Sequence, residues 1–189
     1  MKWLAVIGSP NENGNSSVLI DILINTMEEQ VSSVDIFKMT KPAYSVCTNC
    51  EKCLDTGLCI INDEISSILS RINSYDGIIL ATPTYNSSVS SQMKIFLDRT
   101  FCLNDYMSST WKSRVDADKK AILISSCKGN REESLGYSLQ NMRNVVEDLG
   151  IEVISDFGYI NTKEKFAKDD KELKKKMRDL VNCWLIDLN

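Results

Sequence analysis

The sequence predicts an α/β fold in which helices cover both faces of a doubly wound, five-stranded parallel sheet. Five short apolar runs alternate along the chain with segments whose apolar residues recur at helical spacing, and this alternation is typical of parallel sheets. The chain has 189 residues, of which 43% are hydrophobic, which suits one buried core better than two. We therefore predict a single domain over residues 1–189.

The predicted strands follow from the apolar runs. The first, Trp3–Ile7, has five consecutive apolar residues, which is typical of a central strand buried on both faces. The second, Val34–Lys38, is short and alternates between apolar and polar residues. The other three predicted strands are Gly77–Ala81, Ala121–Ser125 and Glu152–Ile160.

The predicted helices lie between and after these strands. Asp63 is a suitable N-cap for one of them, and Gly150 is a suitable C-terminal stop for another. In chain order they are Ser16–Val31, the helix after Asp63, the helix that carries Met93 and Phe96, a helix from about Ser134 to Gly150, and Asp169–Asp187.

Three polar loops follow the first, third and fourth strands, at Gly8–Ser17, Thr82–Ser91 and Ser126–Asn130. The carboxyl ends of parallel strands share one edge of the sheet, so the three loops are expected to meet there. In the strand order 2-1-3-4-5, strands one and three are neighbours at the switch point, which is where open α/β sheets bind their ligands.

The first loop has the chemistry of an anion site. It combines two glycines with short polar side chains and has no lysine or arginine. Amide N–H groups at a helix start bind phosphate without a cation. It is neither a Walker A loop nor a dinucleotide fingerprint, because five residues separate its glycines and Pro10 stands where the fingerprint needs glycine. A polar turn that only caps the helix remains an alternative interpretation.

Composition excludes several functions. The net charge is −4 and no basic stripe is present, which argues against nucleic-acid binding. No apolar run is long enough for a membrane span or a signal peptide, so we expect a cytoplasmic protein that does not bind membranes. The absence of histidine removes histidine-based triads and histidine metal sites, and the seven cysteines suit reduced thiols better than a disulfide framework.

Taken together, these motifs resemble a known family. Gly8-Ser9-Pro10-x3-Gly14-Asn15-Ser16 and Pro83-Thr84-Tyr85-Asn86, followed by Ser90-x2-Met93-Lys94-x-Phe96-Leu97-Asp98-Arg99, resemble the NAD(P)H-dependent FMN reductases of flavodoxin-like fold. With Cys47-x2-Cys50-x2-Cys53-x5-Cys59 between them, the chain is similar to the iron–sulfur flavoprotein branch. The resemblance implies FMN as cofactor, NAD(P)H as co-substrate, a small-molecule or protein electron acceptor, and a homodimer or homotetramer.

The resemblance also implies site residues. The FMN phosphate would be held by Ser9, Asn11, Asn15, Ser16 and Ser17. The isoalloxazine would lie along Pro83, Thr84, Tyr85 and Asn86, with Ser126 and Gly129 of the third loop on its other side. Asn11 replaces a frequent arginine and Asn86 a frequent aromatic residue. Because the flavin performs the chemistry, no catalytic side chain is expected beyond Tyr85, which could instead pack on the helix end.

The irregular segment at 39–62 holds Cys47, Cys50, Cys53 and Cys59, too many cysteines for packing alone. Compact C-x2-C-x2-C spacing suits a [4Fe–4S] cluster, whereas four thiolates also suit zinc, and an empty loop that only covers the flavin is a third reading. Cys102, Cys127 and Cys183 are set apart from this group. The leading function is an FMN oxidoreductase, and the alternative is a non-catalytic redox-sensing or zinc-stapled binding module.

Overall fold

The computed structural model describes residues 1–27, 33–41, 43–105 and 112–187, with the side chains of the last range described as far as 181. The strands are β1 (Lys2–Ile7), β2 (Ser33–Lys38), β3 (Gly77–Tyr85), β4 (Ser88–Val89), β5 (Asn104–Asp105), β6 (Lys112–Ser113), β7 (Lys120–Ser126) and β8 (Glu152–Tyr159). The helices are α1 (Asn15–Met27), α2 (Glu64–Leu69), α3 (Ser91–Arg99), α4 (Ser138–Asp148) and α5 (Leu173–Asp187).

The five long strands form one parallel sheet in the order β2-β1-β3-β7-β8. Counted along the chain, this is the order 2-1-3-4-5, so the predicted doubly wound, flavodoxin-like α/β fold is confirmed. β1 and β3 are neighbours, with Ala5 opposite Ile79. The switch point therefore lies at the carboxyl ends of these two strands. The short strands β5 and β6 pair separately.

The sheet is buried on both faces because each of its central strands contains a continuous apolar run. In β1, Leu4 and Val6 belong to the core beneath α2, α3 and α4, whereas Trp3, Ala5 and Ile7 belong to the core beneath α1 and α5. Successive side chains of a strand point to opposite faces, so a continuous apolar run supplies both cores. β1 is accordingly buried from Trp3 onward.

Two helices begin later than the sequence predicts. The helix expected from Ser134 starts at Ser138, because Gly136 takes a positive φ of 53° and interrupts the chain after a 3₁₀ turn at Glu132–Leu135. The last helix starts at Leu173 rather than Asp169, since Asp170 is extended. Gly150 does end α4, with φ at 76°. The predicted end of the first helix at Val31 lies outside the described residues.

The second polar loop is a β-hairpin rather than irregular chain. β3 continues to Tyr85 and pairs antiparallel with β4, with Thr84 opposite Val89. The two turn residues, Asn86 and Ser87, have φ of 47° and 61°, as a tight two-residue turn of the I′ type requires. The hairpin therefore projects Tyr85 and Asn86 beyond the sheet edge.

The cysteine segment has no helix or strand in its described residues between Met39 and Asp63. The Met39 N–H donates to the Ile7 carbonyl at 2.9 Å, which fixes the start of the segment beside the switch point. Asp63 caps α2 as predicted, accepting from the Ser66 N–H at 3.0 Å. Across the described ranges, no helix has the length and apolar character needed to cross a bilayer.

Candidate functional site

The loop between β1 and α1 is held in shape by its own polar groups. The Asn11 N–H donates to Ser9 Oγ at 3.2 Å, and the Gly14 N–H donates to the Asn11 carbonyl at 3.1 Å. α1 then begins at Asn15. Within the described chain, the N–H groups of Asn15 and Ser16 donate to no acceptor, as is usual in a first helical turn. These donors lie at the positive end of the helix dipole, which favours an anion there.

A cleft of about 580 Å³ opens above the switch point, within the range of small-molecule and cofactor sites. Loop, hairpin and strand-end residues form its walls. The lining residues are Ser9, Asn11, Gly14, Asn15, Ser16, Pro83, Thr84, Tyr85, Asn86, Ser126, Cys127, Lys128, Thr162 and Phe166. The structure thus brings the residues predicted to hold FMN into one cleft, except Ser17 and Gly129.

Ser17 and Gly129 lie apart from the cleft. Ser17 is buried, and its hydroxyl has no hydrogen-bond partner in the described structure. Gly129 is placed by packing, because a Cβ there would collide with the side chain of Ser134. Its carbonyl accepts from the Asn161 N–H at 2.6 Å. Gly129 therefore lets the third loop pack closely against Ser134.

The cleft also contains lining residues outside the predicted set of FMN contacts. Cys127 and Lys128 belong to the third polar loop, and Lys128 is the one cation among the described lining residues. Thr162 and Phe166 come from the chain after β8. Their only sequence signal is that the fifth strand ends at the same edge of the sheet as the other four.

The chain after β8 is fixed against the cleft at both ends. The Thr162 N–H donates to the Cys127 carbonyl at 3.0 Å, and the Ala167 N–H donates to Asn15 Oδ1 at 2.7 Å. Further on, Tyr159 Oη donates to Asp170 at 3.2 Å, and Lys165 Nζ lies 2.9 Å from the same carboxylate. Burial, and then the Asp170 charge, raise the pKa of Tyr159 to about 12.

Hydroxyl groups tie the hairpin to the strands beside it. Thr84 Oγ1 is 3.0 Å from both Ser125 Oγ and Ser138 Oγ, which joins β3, β7 and α4. Ser90 accepts from the Met93 N–H at 3.1 Å as the N-cap of α3, and its hydroxyl also donates to the Gly8 carbonyl. The two sides of the switch point are therefore rigidly connected, which suits a preformed cleft.

The four clustered cysteines line a second, smaller cavity between the cysteine segment and α3. Cys47, Cys50, Cys53 and Cys59 all contribute to it, together with Cys102. The thiols are free, and only Cys50 is exposed. Burial, with added repulsion from Cys59, Cys50 and Cys47, raises the pKa of the Cys53 thiol. The Cys53 thiol therefore lies within electrostatic range of the other three sulfurs.

Cys102 joins the cluster that the sequence set it apart from. It is buried at the end of α3, and burial, then Cys53 and Cys59, raise its pKa to about 11. Cys127 lies in the first cleft instead. The side chain of Cys183 lies outside the described residues.

The cavity combines four clustered thiols with a buried cation. In the part of the chain that is described, no three His, Cys, Asp or Glu side chains stand close enough to ligate one metal ion. The buried Arg99 also lines the cavity, and its Nε–H has no partner among the described residues. A cation and an unused donor beside four thiols match an anionic sulfur group.

Comparisons with known proteins agree with this geometry. A sequence profile described as NADPH-dependent FMN reductase matches residues 1–165. An iron-sulfur flavoprotein of Archaeoglobus fulgidus is 29% identical over 151 residues, which are 80% of this chain and 64% of that protein. One of Methanocaldococcus jannaschii is 32% identical over 100 residues, 53% of this chain and 52% of that protein. The chain thus spans between half and two thirds of the length of these relatives.

Solved structures agree on the fold. An FMN-dependent NADH-azoreductase from Bacillus anthracis, in complex with FMN, superposes with a TM-score of 0.73 at 13% identity, covering 97% of this chain and 99% of that one. An apo NADH:FMN oxidoreductase superposes with a TM-score of 0.67 at 18% identity, covering 98% and 89%.

Proposed function

Because the chain belongs to the NADPH-dependent FMN reductase family, we propose that it is an FMN-dependent oxidoreductase. It accepts electrons from NAD(P)H or a reduced carrier and passes them to a quinone, a flavin or another acceptor. The observation that carries the proposal is the cleft at the switch point, where the start of α1 and the ends of β3 and β7 converge.

The phosphate end of FMN fits the first loop. The N–H groups of Asn15 and Ser16 and the hydroxyls of Ser9 and Ser16 would bind the phosphate oxygens. Asn11, which also lines the cleft, would add an amide. Lys128, on the other side of the cleft, compensates part of the dianion charge.

The ring of FMN fits between the hairpin and the third loop. Pro83, Thr84, Tyr85 and Asn86 form one wall, and Ser126 and Cys127 form the other. Tyr85 is 47% exposed at the hairpin tip, which favours a role at the cleft mouth over packing on the helix end. FMN, when bound, supplies the hydride and electron chemistry. The side chains around it hold its position and limit the access of water.

We also propose that Cys47, Cys50, Cys53 and Cys59 hold a [4Fe–4S] cluster. Three observations support this: all four thiols line one cavity, a buried cation faces it, and the relatives named above are iron-sulfur flavoproteins. The cluster would connect the flavin to one-electron partners. Zinc, or a thiol site without metal, is the competing outcome.

A homodimer or homotetramer is part of the proposal. Val46, Leu58 and Ile60 are each more than half exposed, and all three belong to the cysteine segment. Exposed apolar side chains grouped on one segment suit a protein interface. The unpaired thiols suit the reducing conditions of the cytoplasm, which is where we place the protein.

The test is anaerobic purification followed by a visible spectrum, metal analysis and steady-state assays. We expect flavin bands over a broad brown absorbance, iron and acid-labile sulfide together, and NAD(P)H oxidation with a quinone, ferricyanide or free flavin. Bound FMN with no turnover on any acceptor would favour the sensing module. Failure to bind added FMN would refute the proposal.

A further inference from the structure

Arg99 is a charged side chain buried at the end of α3, with 1% of its surface exposed. Its Nη1 lies 2.9 Å from Asp63 Oδ2 and its Nη2 lies 3.0 Å from Asp63 Oδ1, a bidentate pair. Nη1 also donates to the Ser45 carbonyl at 3.0 Å. Arg99 therefore contacts the chain on both sides of Cys47–Cys59.

The remaining donor of this guanidinium has no partner. Its Nε–H is buried without a hydrogen bond to any described group, although an unsatisfied buried donor is costly. Arg99 lines the cavity of the four cysteines, whereas Asp63 does not. Within this ion pair, the Arg99 guanidinium therefore belongs to the cavity wall, whereas the Asp63 carboxylate lies outside it.

Electrostatics agree with this orientation. Burial opposes the charge of Arg99, but the bidentate Asp63 carboxylate compensates for it, and a guanidinium is not deprotonated in proteins. The side chain stays cationic beside Cys59. Its charge is well placed to act on a group bound by the four thiols, because fields are weakly screened in buried sites.

We propose that Arg99 is the positioning residue that sets the reduction potential of the cluster at Cys47, Cys50, Cys53 and Cys59. This rests on the proposed function, since it requires the cluster. One-electron reduction adds a negative charge to the cluster. A fixed cation with an unpaired N–H in the cavity wall stabilises that charge, so Arg99 raises the potential, and Asp63 moderates the effect.

Charge variants of the pair separate this role from a purely structural one. The full-length protein is purified anaerobically, reconstituted with iron and sulfide, and titrated reductively while EPR and visible absorbance are recorded. We expect R99Q to lower the midpoint and D63N to raise it, each by a tenfold change in the one-electron equilibrium or more, which is 59 mV. Asparagine caps helices as well as aspartate does, so D63N preserves the start of α2.

Two further variants complete the design. R99K keeps a cation but loses the planar guanidinium that pairs with Asp63 and the Nε–H. The midpoint potential of its cluster should therefore fall less than that of R99Q. K94Q removes a charge from the same helix at an exposed ion pair with Asp98, and its midpoint should stay at the native value. Iron, sulfide and FMN contents are measured for every variant.

The outcomes are distinct. Opposite shifts in R99Q and D63N support the proposal. Shifts in the same direction, or unchanged midpoints in fully loaded variants, overturn it and leave the proposed function intact. If R99Q does not retain the cluster, a raised midpoint in D63N with a lowered one in R99K supports the proposal, and unmoved midpoints overturn it. A native chain that binds FMN but assembles no cluster overturns this proposal together with the cluster assignment.

Discussion

Replacing Ser16 with alanine tests whether the start of α1 holds the FMN phosphate. Ser16 lines the cleft and is 2% exposed. Its hydroxyl lies 3.5 Å from Ser126 Oγ, at the limit of a hydrogen bond. Alanine therefore removes one donor to the ligand and leaves no strongly bonded partner behind. Ser17, the next residue, is equally buried but does not line the cleft, which makes S17A the matched control.

The expected loss follows from the charge of the ligand. A hydrogen bond to a charged group contributes about 1.5–3 kcal/mol, and about 1.4 kcal/mol corresponds to a tenfold change in Kd. We expect S16A to weaken FMN binding by roughly 10- to 100-fold. The free energy of unfolding of the apoprotein should change by about 0.5 kcal/mol or less, because Ser16 makes only the one long contact.

The assay is a titration of apoprotein with FMN and with riboflavin, followed by flavin fluorescence. Riboflavin lacks the phosphate, so its affinity should be the same for the native protein, S16A and S17A. An equal loss of riboflavin and FMN affinity in S16A, or an equal loss of FMN affinity in S17A, would refute the placement of the phosphate.

Three further predictions address the cysteine cavity, the third loop and the pH dependence of folding. C53S should lose most of its iron after anaerobic reconstitution, whereas C127S, whose sulfur lies in the other cleft, should keep it; equal iron in both would contradict the ligand set. G129A should lower the free energy of unfolding by about 1–3 kcal/mol in urea, and S134G should restore much of it, because the added Cβ collides with Ser134. The pKa of Tyr159 is raised from 10.0 to about 12, so the contribution of this residue to stability is complete below pH 10 and is lost as the pH rises toward 12. In Y159F the free energy of unfolding should not show this loss. Parallel curves of unfolding free energy against pH for the two proteins would contradict the prediction.

The fold could be predicted because each central strand contains a continuous apolar run. The run Trp3–Ile7 can only be buried on both faces, and that requirement leads to a parallel sheet with two helical layers. Helix starts were less predictable. Ser134, where the helix was expected to start, lies inside the 3₁₀ turn Glu132–Leu135, which the positive φ of Gly136 ends. No local pattern distinguishes a continuing helix from a 3₁₀ turn.

The site was predictable where polar residues directly follow apolar strands. Ser9, Asn15 and Ser16 reach the cleft because the loop after β1 must pass the switch point. Thr162 and Phe166 were missed since their position depends on how the chain folds back after β8. Gly129 is outside the cleft lining for a related reason: a glycine in a polar loop suggests close approach to a ligand, and here it accommodates the side chain of Ser134.

The contacts of Arg99 have a consequence for the order in which the protein matures. They join Ser45 to Asp63, which lie on either side of the four thiols, through protein groups alone. Closing a flexible loop of this length costs roughly 2–3 kcal/mol of chain entropy plus a constant. Small zinc domains meet such a cost with the metal itself and stay unfolded without it. In this chain the ion pair closes the loop, so we expect the polypeptide to reach its folded form first and to receive the proposed cluster afterwards.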